Sequence, residues 1–159
     1  MLIGLGLGPG NPELLTLRAV RLLREADVVF VPGRIAYDLV APYRTPVLLD
    51  FPMTDDEDRI TASLKENARQ IAPAAESGCA VFGILGDPNF FSTFSRLSAI
   101  LAEDYPQVTC RTEPGISSIT AFAAAAGLSL PVGFVVSDGR ESDTLIQLKV
   151  RRPRERMEE

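Results

Sequence analysis

The sequence contains no histidine and no tryptophan, and only two cysteines. Without histidine, a Ser-His-Asp triad, an imidazole general base and a His-ligated metal are all excluded. Cys79 and Cys110 alone make neither a zinc cluster nor a disulfide framework, so a reduced, cytoplasmic setting is expected. Long hydrophobic runs are lacking too. The stretch from Ile119 to Leu128 includes Thr120 and Gly127 and falls well short of the ~20 residues that a bilayer span needs. The opening MLIGLGLGPGNP has no basic flank of the kind that marks a signal peptide. A soluble protein without membrane association is therefore expected. Positive charge is in deficit, with 16 Lys+Arg against 21 Asp+Glu and a net charge of −5, which argues against a nucleic-acid partner.

What is present is an alternation of apolar runs and amphipathic segments. Leu2 to Leu7, Val28 to Val31, Val47 to Phe51, Cys79 to Leu85 and Val108 to Glu113 read as five strands. Between them lie helical patterns: Leu14 to Ala26 with Asn11 or Thr16 as its cap, Ile35 to Val40, Asp55 to Glu76 broken or ended near Pro73, and Phe94 to Glu103. Ser117 to Gly127 is an Ala-rich helix ending on a glycine. Near-continuous apolar strands alternating with helices indicate an α/β fold, a mostly parallel five-stranded sheet covered by helices on both faces. Residues 1–114 should form this unit. Residues 115–159 hold one helix, the run Phe134 to Val136, a polar turn at 137–140, a strand at 144–150 and a charged end, and read as an incomplete second α/β domain. Both cysteines fall on strands and are expected in the core.

In a parallel sheet, ligands bind beyond the carboxyl ends of the strands. Four loops leave such ends: Gly8-Pro9-Gly10, Pro32-Gly33-Arg34, Gly86-Asp87-Pro88 and Pro114-Gly115-Ile116-Ser117-Ser118. Glycine permits close backbone approach and proline fixes one loop shape. The first loop is neither a dinucleotide fingerprint nor a phosphate-cradling loop, since the required Gly and Gly-Lys-Ser/Thr are missing. Asp87 has two readings, a brace for its own turn or a ligand-binding acid. Ser92-Thr93 is either a helix cap or a ligand contact. The acidic run Asp55 to Asp58 at a helix start is explained by the helix dipole and needs no metal.

Taken together the loops are more specific. The text from Gly6 through Gly8-Pro9-Gly10-Asn11-Pro12 to Ala19, followed by Ala26-Asp27-Val28-Val29, resembles the opening of the tetrapyrrole (corrin/porphyrin) methylases. Leu85 to Pro88 and Pro114 to Ser118 resemble the next two signatures of that family, in order. Leu49 to Thr54 and Asp87 to Phe94 are most similar to the precorrin-2 / cobalt-factor II C-20 methyltransferases. The resemblance runs over residues 1 to about 132. It implies a two-domain α/β enzyme, a cytoplasmic homodimer that uses S-adenosyl-L-methionine to methylate C-20 of a tetrapyrrole in cobalamin biosynthesis. By resemblance, Pro9, Leu85, Gly86, Asp87, Phe90, Ser117 and Ser118 contact the cofactor. Gly8, Gly10 and Arg34 are the candidates for substrate binding, Arg34 because a polycarboxylate substrate needs a local cation on an acidic protein. The resemblance supplies no catalytic acid or base, and no metal.

The second domain departs from the family pattern. After Gly139 the text no longer tracks it, and the strand-like run from Asp143 to Val150 resembles one found considerably later in family members. A shortened second domain is therefore expected, with weak activity or none. The alternative is a non-catalytic remnant that binds tetrapyrrole or a partner chain. A third reading, a methylase of the same fold acting on RNA or a modified protein side chain, is disfavoured by the Asp50-Phe51-Pro52-Met53 text and the acidic balance.

Overall fold

The computed structural model describes residues 1–131 and 134–137. Met1–Leu128 makes one compact unit, and the remaining described residues belong to a second. Five strands pair in the order β3-β2-β4-β1-β5. They are β1 (Leu2–Gly6), β2 (Val28–Val31), β3 (Val47–Leu48), β4 (Ala80–Ile84) and β5 (Cys110–Glu113), and every pairing is parallel. β1 and β4 are central, and each of their residues is buried. That explains their apolar, non-alternating text, because both faces of a covered parallel sheet are core.

The helices are α1 (Leu17–Glu25), α2 (Arg34–Val40), α3 (Glu57–Ser77), α4 (Phe94–Asp104) and α5 (Ser118–Ala125). The chain steps one way from β1 through β2 to β3, then the other way through β4 to β5. Crossovers of one hand then place α1 and α2 on one face and α3 and α4 on the other. The core divides accordingly. Ile3, Leu5, Val29, Val31 and Val81 pack with Leu22 and Leu23 of α1 and Leu39 and Val40 of α2. Leu2, Phe30 and Phe82 pack with Leu64 and Ile71 of α3 and Phe94 and Leu97 of α4. The Phe82 and Phe94 rings lie 6.2 Å apart, and a Cβ on Gly4 would strike the Phe94 ring. That glycine leaves room for the aromatic stack.

The two cap candidates start separate elements, so α1 begins at Leu17 rather than Leu14. Asn11 accepts from the Glu13 amide at 3.0 Å to start a 3-10 turn over Pro12–Leu14, and Thr16 accepts from Ala19 at 3.0 Å to start α1. Gly127 has φ +64°, and Leu128 and Gly127 donate back to Ala123 and Ala124, closing α5 as its glycine signal foretells.

Four other readings are corrected. β3 pairs only over Val47–Leu48 rather than to Phe51. β5 starts at Cys110 rather than Val108. α3 runs through Pro73 to Ser77; Pro73 and Arg69, whose carbonyl loses its donor, both lie on the exposed side, where water can replace the bond. Of the two cysteines, Cys110 is not a core residue but exposed, because β5 is an edge strand, while Cys79, just ahead of β4, is half-buried and packs against the core on the α1 and α2 face. Phe134, Val135 and Val136 are exposed and lie outside any strand. The turn at 137–140, apart from Ser137, the strand at 144–150 and the charged end lie outside the described residues.

Candidate active site

After β2 the chain turns outward to β3, and after β4 it turns the other way toward β5, so the connections diverge between these two neighbouring strands. That divergence opens a crevice at their carboxyl ends, the usual ligand position in such sheets. Beside it, at the carboxyl end of β1, three of the four loops singled out in the sequence meet. Gly8 and Gly86 form an antiparallel bridge, with Gly86 donating to the Gly8 carbonyl at 2.7 Å and Gly8 donating back at 3.3 Å. Both have left-handed φ, +72° and +74°.

The loop after β5 closes on this pair by backbone packing. A Cβ on Gly6 would lie 2.3 Å from the Gly115 nitrogen and 2.8 Å from the Gly86 carbonyl oxygen. A Cβ on Gly115 would lie 2.4 Å from the same oxygen. Gly6 and Gly115 therefore admit no side chain where they cross the Gly86 carbonyl, and the three glycines make one backbone crossing. Sequence alone marks Gly6 only as the weakened end of a strand. Its role is visible once β5 is known to lie beside β1.

Asp87 locks the crossing. It is 6% exposed. Its Oδ2 accepts from the Gly115 amide at 3.1 Å, and its Oδ1 accepts from the Asn89 amide at 2.8 Å and from Asn89 Nδ2 at 3.1 Å. Both carboxylate oxygens thus bind within the protein, in favour of the brace over the ligand-binding acid. Ser117 accepts from the Ile119 amide at 3.2 Å as the cap of α5, which leaves Ser118 exposed at the first helical position. Its amide has no helical carbonyl to bind. Pro9 and Gly10 are half-buried, while Leu85 and Phe90 are exposed. Below this group, Arg18 of α1 makes a two-pronged pair with Glu113 at the end of β5, both bonds at 2.6 Å. That hydrogen bonding holds the Glu113 carboxyl below the usual carboxylate range.

The fourth loop, after β2, lies on the crevice itself, next to Leu85 at the end of β4. Pro32, Gly33, Arg34 and Ile35 line a cavity of about 330 Å³ with Leu85, Phe91, Ser92 and Thr93. Arg34 is the first residue of α2, 3.0 Å from Asp38 and over the Tyr37 ring at 5.0 Å. Thr93 holds the N-cap position of α4 but makes no side-chain capping bond; Ser92, one residue earlier, accepts from the Phe94 amide at 3.0 Å. A smaller cavity of about 170 Å³ shares Thr93 and is lined by Phe51, Met53 and Arg96. Its floor is fixed by Ser63 and Asn67 of α3, which both donate to the Asp50 carbonyl at 2.7 Å.

The fold and crevice define a doubly wound α/β protein whose candidate site is made of glycine-rich strand-end loops. The sequence pattern of the family "Tetrapyrrole (Corrin/Porphyrin) Methylases" matches residues 1–155, and the chain belongs to that family. A protein of Methanocaldococcus jannaschii named "Probable cobalt-precorrin-2 C(20)-methyltransferase" is 37% identical, over 81% of this chain and 57% of its own length. "Precorrin-2 C(20)-methyltransferase" of Sinorhizobium is 32% identical, over 83% of this chain and 60% of its own length. Among solved structures, the uroporphyrin-III C-methyl transferase of Thermus thermophilus complexed with S-adenyl homocysteine matches with a TM-score of 0.55 and 29% identity, over 77% of this chain and 51% of that one. The chain spans about half to three fifths of the length of these relatives.

Proposed function

We propose that this chain acts as an S-adenosyl-L-methionine-dependent C-methyltransferase on C-20 of a tetrapyrrole, precorrin-2 or cobalt-factor II, in cobalamin biosynthesis. The observation that carries the reading is the backbone crossing of Gly6, Gly86 and Gly115 at the carboxyl ends of β1 and β4, fixed by buried Asp87. The C-20 position is supported by the names of the two curated relatives, which share 37% and 32% of aligned residues.

The residues present fit the cofactor. A Cβ on Gly86 would meet only the Ser118 amide nitrogen, at 3.8 Å, and one on Gly10 would meet nothing within 4 Å. Open space lies beside these two glycines, which leaves room for a ligand next to the Ser118 amide. Pro9, Leu85, Gly86, Phe90, Ser117 and Ser118 would hold it, with Asp87 acting through the loops. Gly8, Gly10 and Arg34 would face the tetrapyrrole. The bound cofactor supplies an electrophilic methyl group with its leaving group already in place. The chain's own task is then alignment and exclusion of water, for which rigid Gly/Pro loops suffice and a histidine base is not needed.

In this reading residues 115–159 open the second domain of the family. The protein is a homodimer, supported by exposed Phe122 on α5, a helix with no buried residue. It works in the cytoplasm, supported by two free cysteines. Among the described residues no helix is long and apolar enough to cross a membrane. The test is calorimetry of the full chain with S-adenosylhomocysteine, followed by mass-detected methyl transfer to precorrin-2 and to cobalt-factor II. Cofactor binding without transfer to either would refute the C-20 reading.

A further inference from the structure

Phe91 is the only non-glycine residue with left-handed backbone among the described residues, at φ +49°. That region is strained for a bulky side chain, and such strain concentrates at ligand clamps. Burial does not compensate it, since Phe91 is 67% exposed. Nor is the loop slack. On one side the Phe90 amide donates to the Asp87 carbonyl at 3.3 Å, and on the other Ser92 binds the Phe94 amide while Ser95 binds the Ser92 carbonyl at 3.0 Å. The phenyl ring is thus held out into solvent by fixed flanks, in a conformation the folded chain does not need.

It lines the 330 Å³ cavity together with exposed Ile35 and Leu85, and Arg34 contributes the cation there. The Arg34–Asp38 pair is 76% and 60% exposed, so its hold is weak and the guanidinium is free to exchange partners. The volume is at the low end of the ~300–1,000 Å³ of ligand sites. It admits part of a large ligand, with the rest lying across the mouth. An aromatic wall beside a single guanidinium matches a flat anionic ring carrying carboxylate arms.

We propose that Phe91 is a specificity-determining residue, its ring packing against an edge ring of the macrocyclic substrate while one carboxylate arm reaches Arg34. The proposal rests on the methylase reading for its ligand class.

The test uses the full chain and uroporphyrin III, a fluorescent polycarboxylate macrocycle, with Phe91→Gly and Phe91→Tyr. Glycine removes both ring and strain, whereas tyrosine keeps both. Phe91→Gly should keep or raise the melting temperature and weaken porphyrin binding about threefold to tenfold, the range for loss of one aromatic contact. Phe91→Tyr should bind within about twofold of wild type, and both variants should bind S-adenosylhomocysteine as wild type does. Unchanged porphyrin affinity in Phe91→Gly overturns the proposal, as does a loss of affinity that merely accompanies a lower melting temperature. Wild-type binding of S-adenosylhomocysteine but not porphyrin also overturns it, leaving the methylase reading in place. Ring-dependent porphyrin binding without S-adenosylhomocysteine binding would sink the methylase reading and leave the role of Phe91 standing.

Discussion

Gly6→Ala is the substitution for which the structure gives the sharpest expectation. The added methyl would lie 2.3 Å from the Gly115 nitrogen, 2.6 Å from its Cα and 2.8 Å from the Gly86 carbonyl oxygen. All three are backbone atoms, so no side chain can swing aside. Relief requires separating the β1 end from two loops at once, and Asp87 resists that by holding Gly115 at 3.1 Å. Overpacking of this kind costs about 1–3 kcal/mol, and the rigid neighbours place it near 3. At roughly 2–4 °C per kcal/mol for a chain of this size, the melting temperature should fall by about 6–12 °C. The displaced loops are those proposed to carry the cofactor, so S-adenosylhomocysteine affinity should fall with it. Gly33→Ala is the control. Its φ is −177°, an extended value open to any residue, and a Cβ there meets nothing within 4 Å. Loss of unfolded-chain entropy favours alanine while the helix-start position disfavours it, each by under ~1 kcal/mol. Thermal melts and calorimetry on both variants decide the matter. A Gly6→Ala protein that melts and binds like wild type would refute the backbone-crossing argument.

Asp87→Asn should lower stability by about 1–3 kcal/mol, because an amide NH2 must then face a buried N–H that previously had an acceptor. Urea unfolding measures it, and an unchanged midpoint would show that the Gly115 bond is dispensable. Asp56 accepts from the Asp58 and Arg59 amides at 3.1 Å as the cap of α3. Asp56→Ala should cost about 1 kcal/mol in the same assay. Glu113→Gln should cost about 0.2–1 kcal/mol at neutral pH. Since the folded Glu113 carboxyl titrates below its ordinary 4.5, its contribution is present above that value and is lost as pH falls through the folded one. The stability gap between wild type and Glu113→Gln should therefore close in acid. A gap independent of pH would mean that the Arg18 pair is not its source.

The sheet was legible because its strands are two-sided core. Leu2 to Gly6 and Ala80 to Ile84 carry no polar residue, and only a covered parallel strand uses such text. The edges were harder. Cys110, Arg111 and Thr112 are polar or small and exposed, and what makes them a strand is the ladder to Leu2, Ile3 and Gly4, a long-range pairing that local pattern does not encode. Pro73 misled for a related reason: helix breaking is a local rule, and the packing of Leu64, Ala68, Ile71 and Ala75 against the sheet outweighs one lost bond on the wet side. The loops of the site were legible as a set, through their glycines and prolines. Their meeting was not, since Gly6, Gly86 and Gly115 become neighbours only through the strand order β4-β1-β5. Phe91 carried no signal, because a positive φ on phenylalanine has no sequence signature.

These observations bear on where the chemistry of such a site resides. Among its titratable groups, Asp87 is spent on amides, Glu113 on Arg18, and Arg34 lies on the adjoining cavity beside Asp38. What these loops present to a ligand is half-buried Pro9 and Gly10 and the first amide of α5 at exposed Ser118, since the N–H and C=O groups of buried Gly8 and Gly86 are spent on each other. A site of that composition favours a reaction whose leaving group needs no protonation and whose barrier falls mainly through alignment. It follows that substitutions disturbing loop positions should damage turnover more than substitutions removing exposed charges. The glycines that look least chemical, Gly6 and Gly115 foremost, are then the residues on which the proposed activity would depend, because they let three strand-end loops share one small volume.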